Sequence, residues 1–341
     1  MNIQSAFDFT ELTTMKLPVV ARYFVIAYSV DDVVKALEFT RKQSLTYIVI
    51  GSSSNIVWDS YIDAVVIHIH IVGIQWLEKD NYTIYADVSA GESWDGFVLQ
   101  CCQQNYTGIE ALSAIPGTVG ATPVQNVGAY GVEVSDVIES VRVLDTETLS
   151  TETVYNNICD FGYRTSNFKT LWKQTYIILS VRFKLTKSQT VSIPQYPGVS
   201  NLITSSIANA MDIRNAIIEL RSSKLPDPAR CPNVGSFFKN SIVEKNQCQE
   251  IQKRFPTMPQ FRTENSNYVK IPTGWLIEQC GFRGVWQGNF RCYLHNALVI
   301  EHNTHGHYSE LCDFVIQIQQ SVYDMFGIHI TPEPDIISTV K

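Results

Sequence analysis

The stretch IPGTVGATPVQNVGAYGVEV, Ile115 to Val134, decides the fold of this 341-residue chain. It carries no charged residue before Glu133, and its four glycines are Gly117, Gly120, Gly128 and Gly131. Exposed loops are normally polar, so an apolar stretch of small residues is expected to lie against a large flat surface. Small side chains let backbone N–H groups approach a pyrophosphate or an isoalloxazine ring directly. A tightly packed glycine-rich core turn is the alternative interpretation.

An earlier loop has a related composition. The segment GSSSNIVW, Gly51 to Trp58, directly follows the β-rich run LTYIVIG that begins at Leu45. Glycine permits positive φ, and three serines bring hydroxyl and backbone donors together, a pattern that can bind phosphate. A simple turn is the alternative. Neither loop contains the dinucleotide fingerprint GxGxxG or the phosphate-binding motif GxxxxGK[ST].

Strand and helix patterns alternate around these loops. Asp31 and Asp32 are expected to cap a helix that runs to about Lys42, and Asp212 opens a later one. Ser93 is expected to cap a helix whose apolar stripe is Trp94, Phe97, Val98, Cys101 and Cys102. A long helix begins at Ser309 and ends at Gly327. The mixture indicates α+β units rather than a doubly wound sheet.

Composition excludes several classes of protein. The net charge of −7 and the pI of about 5.5 argue against binding to nucleic acid or to anionic membranes. No export signal and no run long enough to span a bilayer are visible, so we expect a cytoplasmic protein with reduced cysteines. The pair His68 and His70 has no third ligand nearby, and we expect no metal site there. We expect His302, His305 and His307 to lie in a solvated loop.

The run GIEALSAIPGTVGATPVQNVGAYGVEV, from Gly108, resembles the signature of the UDP-N-acetylenolpyruvoylglucosamine reductase family. Further segments follow in the order of that family. They are GSSSN from Gly51, SAGESWDGFV from Ser89, FGYRTSNFK from Phe161, KLPDP from Lys224, GSFFKNSIV from Gly235, GWLIEQCGFRG from Gly274, ALVIEHN from Ala297 and PEPDII from Pro332. A series of ordered motifs over nearly the whole chain is far more specific than a single match.

The resemblance implies an α+β fold. A two-part FAD-binding domain of the vanillyl-alcohol-oxidase type would be followed by a C-terminal α+β substrate-binding domain. We expect the first FAD-binding subdomain at residues 1–73 with the tail 333–341, the second at 74–226, and the substrate-binding domain at 227–332. The segment QYPGV, Gln195 to Val199, resembles the tyrosine loop of one subgroup of the family.

The resemblance also implies a reaction in bacterial cell-wall (peptidoglycan) synthesis. NADPH would reduce bound FAD, which would reduce the enolpyruvyl ether of UDP-N-acetylglucosamine enolpyruvate to UDP-N-acetylmuramate. By family correspondence Ser236 would be the general acid, Arg164 would bind the substrate carboxylate, and Glu333 would be the third catalytic residue. Glu333 would either hydrogen-bond the enolate when protonated or orient Arg164 when ionised. From the residues alone, Ser236 reads as a turn or helix cap and Arg164 as a surface ion-pair partner.

The same correspondence gives two sets of binding residues. The residues expected to bind FAD are Gly51, Ser52, Ser53, Ser54, Asn55, Ile56, Ile115, Pro116, Gly117, Thr118, Gly120, Ala121, Gln125, Asn126, Gly128 and Ala129. The residues expected to bind the substrate are Tyr130, Tyr196, Lys224, Asn240 and Asn296. We expect no metal, and we expect the protein to act as a monomer.

Some positions depart from the pattern of the family. Ser53 replaces a usual glycine, Thr165 replaces an aspartate, and Pro334 and Asp335 follow Glu333 in place of Val-Arg. Two other functions therefore stay open at this point. A flavin oxidase on the same fold is one, although neither loop contains the His or Cys that often tethers flavin. A non-catalytic paralogue that binds flavin or a nucleotide sugar is the other.

Overall fold

A computed structural model describes residues 1–196, 198–203, 207–263 and 265–339. The chain divides into two compact units. The first unit consists of three segments, Met1–Phe7, Ala21–Ser53 and Asp63–Ser222. The second unit consists of Asp8–Val20, Ser54–Ile62 and Ser223–Lys341. The second unit therefore combines two short early segments with the last third of the chain.

The described residues form short strands and a smaller number of helices. In chain order the first strands are β1 (Ile3–Asp8), β2 (Val20–Ala27), β3 (Tyr47–Ile50), β4 (Ile56–Trp58), β5 (Tyr61–Ile69), β6 (Ile74–Glu78), β7 (Thr83–Ser89), β8 (Tyr106–Thr107), β9 (Gly128–Ala129) and β10 (Val132–Glu133). They are followed by β11 (Ile138–Asp145), β12 (Thr151–Tyr155), β13 (Tyr176–Lys187), β14 (Ser241–Glu244), β15 (Phe261–Arg262), β16 (Tyr268–Ile271), β17 (Trp286–Gln287), β18 (Phe290–Tyr293), β19 (Asn296–His302) and β20 (Asp335–Ile337). The α-helices are α1 (Val30–Lys42), α2 (Trp94–Gln103), α3 (Val199–Leu202), α4 (Ala210–Lys224), α5 (Lys245–Arg254), α6 (Thr273–Gln279) and α7 (Tyr308–Phe326).

Two sheets organise the first unit. One has the strand order β1-β2-β5-β3, with β3 parallel to β5, and the other has the antiparallel order β12-β11-β13-β7-β6. Helix α2 buries the stripe predicted from the sequence, because Trp94, Phe97, Val98, Cys101 and Cys102 are all at most 1% exposed. Burial of each large side chain stabilises the fold by about 1.5–3 kcal/mol.

The predicted helix ends Lys42 and Gly327 agree with the structure, whereas the predicted starts Asp212 and Ser309 lie inside α4 and α7. Helix α1 reaches Lys42 as predicted, but its N-cap is Ser29, whose hydroxyl accepts a hydrogen bond from the Asp32 backbone N–H at 3.2 Å. Asp32 instead accepts from the backbone N–H of Tyr28. Helix α7 ends at the predicted Gly327, which takes a left-handed φ of 66°. Small polar side chains compete for the N-cap, so neighbouring candidates are hard to rank from sequence.

Three small sheets and α7 organise the second unit. The sheets have the orders β14-β16-β15, β17-β18-β19 and β20-β4, of which only the last pair is parallel. Phe237 and Phe238 are buried in one core with Phe314 and Ile318 of α7. The segment around Ser236 is therefore anchored by two adjacent aromatic side chains. Among the described residues, no helix has both the length and the apolar character needed to cross a bilayer.

A buried ion pair joins α2 to α4 in the first unit. The Arg214 guanidinium donates to both carboxylate oxygens of Asp95 at 2.6 and 2.8 Å, and its side chain is only 7% exposed. Asp95 also accepts the backbone N–H of Ala114 at 2.6 Å, directly before the glycine-rich loop. Burial raises the pKa of Asp95, but the hydrogen bonds from Arg214 and Ala114 outweigh burial and hold it below the ordinary value.

We expect Asp95→Asn to lower the free energy of unfolding by about 2 kcal/mol, less than for a fully buried pair because Asp95 is partly exposed. A depressed carboxyl pKa stabilises the fold above the unfolded-state pKa, and this contribution disappears as the pH falls through the folded-state pKa. Wild type should therefore lose more stability than Asp95→Asn between about pH 5 and about pH 3. Urea titrations of both proteins across this range measure the difference, and parallel curves would contradict it.

Candidate active site

The glycine-rich loop is built on backbone conformations with positive φ. Gly117 has a φ of 147° and Gly131 one of 84°, which glycine adopts without steric cost. Ala114, Asn126 and Tyr130 have φ values of 58°, 47° and 55° although each has a Cβ. Left-handed non-glycine residues carry strain and concentrate at functional sites. The backbone of this loop therefore has the character of a ligand-binding segment.

The two loops singled out in the sequence touch each other through Gly51. A Cβ at Gly51 would collide with the side-chain oxygen of Thr118, so only glycine allows this approach. Gly120 is equally close to its neighbour, since a Cβ there would lie 2.6 Å from the Cβ of Ala90. Glycine therefore lets two predicted cofactor loops that are distant in the sequence pack closely at Gly51 and Thr118.

The serines of the first loop leave two polar atoms without a partner. Within the described part of the chain, the hydroxyl oxygens of Ser52 and Ser53 are buried and make no hydrogen bond. Ser53 also has a φ of 50°, in the left-handed region. A buried hydroxyl without a partner costs about 1–3 kcal/mol. Two such hydroxyls side by side fit the phosphate oxygens of a dinucleotide cofactor, which would supply the missing acceptors.

Arg164 sits at the tip of a tight turn in the first unit. The backbone groups of Gly162 and Thr165 exchange two hydrogen bonds, of 3.1 and 3.2 Å, on either side of it. Arg164 has a φ of 56°, and its Nη2 donates to the backbone oxygen of Gly128 at 2.5 Å. A Cβ at Gly128 would lie 3.2 Å from Arg164 Nη1. The guanidinium is thus packed against the glycine-rich loop rather than extended from the surface.

Ser236 and Glu333 are brought together in the second unit. Ser236 forms an isolated bridge with Val299, and the Glu333 backbone N–H donates to the oxygen of Phe237 at 2.9 Å. Ser236 therefore lies in an extended segment between β19 and the chain around Glu333. The turn or helix cap that its neighbours alone indicate is wrong.

The end of the first loop contacts the same region. The side-chain amide of Asn55 donates to the backbone oxygen of Glu333 at 3.5 Å, and the Asp335 backbone N–H donates to the oxygen of Asn55 at 3.1 Å. Ile56 continues this contact because it pairs with Asp335 in the parallel β4–β20 ladder. Loop residues predicted to bind FAD thus hold the backbone of the predicted catalytic glutamate.

Known proteins resemble this chain over its whole length. Residues 21–149 match the FAD binding domain, and residues 227–337 match the C-terminal domain of UDP-N-acetylenolpyruvoylglucosamine reductase. The UDP-N-acetylenolpyruvoylglucosamine reductase of Flavobacterium johnsoniae is 37% identical over 340 residues, which cover 99% of this chain and 100% of the relative. The chain belongs to the UDP-N-acetylenolpyruvoylglucosamine reductase family. It is therefore an oxidoreductase with an FAD-binding domain.

Other members of the reductase family agree. The reductase of Neisseria gonorrhoeae is 36% identical over 339 residues, covering 97% of this chain and 96% of its own. The crystal structure of the UDP-N-acetylenolpyruvylglucosamine reductase from Thermus caldophilus matches with a TM-score of 0.69 at 18% identity, covering 99% of this chain and 100% of that one. The fold is thus shared even where the sequences have diverged. The predicted α+β class, with an FAD-binding domain and a C-terminal reductase domain, is confirmed.

The unpartnered hydroxyl of Ser53 gives a test of the FAD site. If it binds a cofactor phosphate, Ser53→Ala and Ser53→Gly should both raise the dissociation constant for FAD by about tenfold. Only Ser53→Gly also relieves the left-handed backbone, so its apoprotein should be more stable than that of Ser53→Ala by about 1 kcal/mol. Equilibrium dialysis and urea unfolding measure the two effects separately. Unchanged FAD affinity in both variants would remove Ser53 from the site.

Two residues predicted to bind the substrate meet in the first unit. The rings of Tyr130 and Tyr196 pack edge to face with centroids 4.9 Å apart. Burial raises the pKa of Tyr130, and the positive charge of Arg221 opposes that effect. Arg221 was not singled out in the sequence. It lies three residues before Lys224 on α4, a spacing that puts both cations on one face of the helix. This spacing was the sequence signal that could have identified Arg221.

The other residues predicted to bind the substrate lie at the ends of elements. Lys224 is the last residue of α4, and Asn296 is the first residue of β19. The side-chain oxygen of Asn240 accepts from the Thr273 backbone N–H at 3.2 Å, and that of Asn296 accepts from Leu298 at 3.1 Å. These two hydrogen bonds orient the side-chain amides of Asn240 and Asn296. The contacts of both residues with the substrate stay predictions. Within the predicted segment QYPGV, Pro197 lies outside the described residues.

The histidine cluster near α7 has structural roles. His302 is only 4% exposed, and its Nε2 lies 2.7 Å from the backbone oxygen of Met15. The expectation of a solvated loop is therefore wrong for His302. His307 is the N-cap of α7, where its side chain and that of Glu310 form a capping box. The described residues contain no group of His, Cys, Asp or Glu side chains arranged to hold a metal ion.

Proposed function

We propose that this enzyme reduces the enolpyruvyl ether of UDP-N-acetylenolpyruvoylglucosamine to the lactyl ether of UDP-N-acetylmuramate, with NADPH as the reductant. Membership of the reductase family supports this reaction. The observation that carries it is the backbone pairing of the segment around Ser236 with the segment around Glu333, which supports a site where a hydroxyl and a carboxyl act on one substrate. Asn55 of the first loop is bonded to the same Glu333 backbone.

The reaction needs one hydride and one proton. The loops Gly51–Ile56 and Ile115–Ala129 would hold FAD, which would supply the hydride after its reduction by NADPH. Addition at the terminal carbon of the enol leaves negative charge on the carbon beside the substrate carboxylate. The protein must therefore stabilise an enolate-like species and deliver a proton to that carbon.

Arg164 is proposed to bind the substrate carboxylate. Its planar guanidinium presents paired donors that match a carboxylate, and these bonds strengthen as negative charge develops there. The turn between Gly162 and Thr165 fixes the backbone of Arg164, and Gly128 holds one side of the guanidinium. Positioned donors that need no rearrangement during the reaction are the most effective way to stabilise developing charge.

Ser236 is proposed to deliver the proton, and Glu333 to assist from the neighbouring segment. A hydroxyl is a weak acid, but a carbanion is a stronger base, so transfer is favourable when the two atoms are about 3 Å apart. The extended segment between Gly235 and Lys239 is held on both sides, by Leu298 through Phe237 and by Thr331 through Lys239. This backbone restraint limits the movement of Ser236 relative to Glu333.

The nucleotide is proposed to bind through Tyr130, Tyr196, Lys224, Asn240 and Asn296. Residues 227–332 form the proposed substrate-binding domain, with residues 1–73, 333–341 and 74–226 as the two parts of the FAD-binding domain. We further propose a monomer that works in the cytoplasm, where NADPH and nucleotide sugars are made. All eight cysteines lie in the described part of the chain and are free thiols, which agrees with a reducing compartment.

The reaction is tested by product analysis. Purified enzyme is incubated with FAD, NADPH and UDP-N-acetylenolpyruvoylglucosamine, and the nucleotide sugars are resolved by mass spectrometry. We expect one UDP-N-acetylmuramate for each NADPH oxidised. A parallel incubation with NADH gives the preference for the reductant. NADPH oxidation without a gain of two hydrogens in the sugar would contradict the proposal.

A further inference from the structure

The side chain of Asn126 faces the protein interior rather than a ligand. Asn126 is fully buried, and its Nδ2 donates to Glu133 Oε2 at 2.6 Å and to the backbone oxygen of Gly162 at 3.2 Å. Its Oδ1 accepts the backbone N–H of Ser135 at 3.1 Å. Both donors and one of two acceptor positions of the amide are therefore used within the protein. Its side chain has little capacity left for the FAD contact predicted from the sequence.

We propose that Asn126 is a positioning residue for Arg164, linking the glycine-rich loop to the turn that carries this arginine. The inference rests on the proposed role of Arg164 in binding the substrate carboxylate. Gly162, whose oxygen Asn126 binds, is the first residue of that turn and lies two residues before Arg164. The two backbone hydrogen bonds that close the turn join Gly162 to Thr165. Holding Gly162 in place therefore also restrains the backbone of Arg164, which lies between them.

The same loop also holds the other end of Arg164. Gly128 lies two residues after Asn126, and its backbone oxygen accepts from Arg164 Nη2 at 2.5 Å. The loop thus contacts Arg164 at two points, near its backbone through Asn126 and at its guanidinium through Gly128. Two attachments define the direction of a long side chain that would otherwise sample many rotamers. The left-handed φ of Arg164 indicates that surrounding contacts impose its conformation.

Glu133 completes this arrangement. It accepts one Asn126 N–H, and its backbone N–H donates to Asp136 Oδ2 at 3.0 Å. A Cβ at Gly128 would lie 3.0 Å from Glu133 Cγ and 3.2 Å from Arg164 Nη1, so the carboxylate and the guanidinium flank the same glycine. An amide at position 126 supplies two donors to two oxygens without adding charge beside Arg164. An aspartate of the same shape supplies none.

The decisive variant is Asn126→Asp, which keeps the shape, the tolerance for a left-handed φ and the acceptor for Ser135. It places a second carboxylate beside Glu133 and loses the bond to Gly162. We expect KM for UDP-N-acetylenolpyruvoylglucosamine, and its dissociation constant from oxidised enzyme, to rise by about tenfold or more. Bleaching of the flavin by NADPH should stay within about twofold of wild type, because that half-reaction does not use Arg164. A purely structural role would change both half-reactions and FAD retention together.

Two further variants test whether the rise in KM comes from the lost contacts of Asn126 rather than from misfolding or from added charge. Asn126→Gly accepts the left-handed backbone freely and removes the amide, and it should show the same selective rise in KM. Adding Glu133→Gln to Asn126→Asp removes the second carboxylate but does not restore the bond to Gly162, so the rise in KM should persist. Normal KM in both Asn126→Asp and Asn126→Gly, or a return to wild-type KM in the double variant, would overturn the proposal.

Wild type in the same assay separates this inference from the proposed function. If wild-type enzyme is bleached by NADPH and fails to turn over the enolpyruvyl sugar, the proposed function is wrong and the positioning role falls with it. If wild type turns over and the Asn126 variants match it, only the positioning role is wrong. Substrate affinity is measured by titrating the absorbance of the oxidised flavin, which requires no turnover.

Discussion

Ser236→Ala is expected to slow reoxidation of the reduced enzyme by the enolpyruvyl sugar by about a thousandfold, the range of a positioned general acid. Its bleaching by NADPH should be unchanged, because the proposed proton transfer occurs only after hydride reaches the sugar. The two half-reactions are followed separately by stopped-flow absorbance of the flavin under anaerobic conditions. A selective loss in the second half-reaction identifies a group that acts on the substrate.

The matched control for this prediction is Ser309→Ala. Ser309 is an exposed residue in the first turn of α7, within the same unit as Ser236. We expect both half-reactions of this variant to be within about twofold of wild type. Reoxidation of Ser236→Ala at the wild-type rate would remove Ser236 from the mechanism.

Arg164→Lys is expected to lower the reoxidation rate by about a hundredfold and to raise KM for the sugar, while NADPH still bleaches the flavin. Lysine keeps the positive charge but loses the planar fork that matches a carboxylate. It also loses the geometry that lets Nη2 bond to Gly128 and leaves other donors for the proposed substrate carboxylate. Charge alone should therefore not rescue the reaction.

Arg142→Lys is the control for the arginine variant. Arg142 lies on β11 of the same unit and is exposed to solvent. Replacement there should leave KM and both half-reactions within about twofold of wild type. If Arg164→Lys behaved like this control, the guanidinium would have no part in binding the substrate carboxylate.

Local patterns predicted the helices well. The stripe of α2 and the glycine end of α7 depend on residues within a few turns of each other, so the sequence contains the required information. The cap of α1 was misassigned because Ser29, Asp31 and Asp32 all have suitable side chains. Only the backbone conformation decides which of them accepts the first free N–H group.

Contacts between distant segments could not be predicted in this way. The glycine before Ser236 favours a turn or cap, whereas the segments that pair with this stretch, around Val299 and Glu333, lie far along the chain. His302 was placed in a solvated loop because its neighbours are polar, yet it is buried against the backbone of Met15. Neither partner is recognisable from the local sequence.

The family resemblance predicted which residues belong to the site, but not the direction in which each side chain points. It grouped Asn126 with the residues that bind FAD, while the structure directs its amide towards Gly162 and Glu133. It also gave no role to Arg221, whose positive charge acts on Tyr130. A motif specifies which residues are present, whereas the division between ligand contact and internal support depends on the packed backbone.

The most direct test of the account is the colour of the purified protein through one catalytic cycle. We predict a yellow protein, or one that becomes yellow with added FAD, that NADPH bleaches without oxygen and that UDP-N-acetylenolpyruvoylglucosamine then restores to its original spectrum. A polypeptide that takes up no flavin would contradict the account. So would a bleached enzyme that ignores the sugar and recovers its colour only when oxygen is admitted, as an oxidase does.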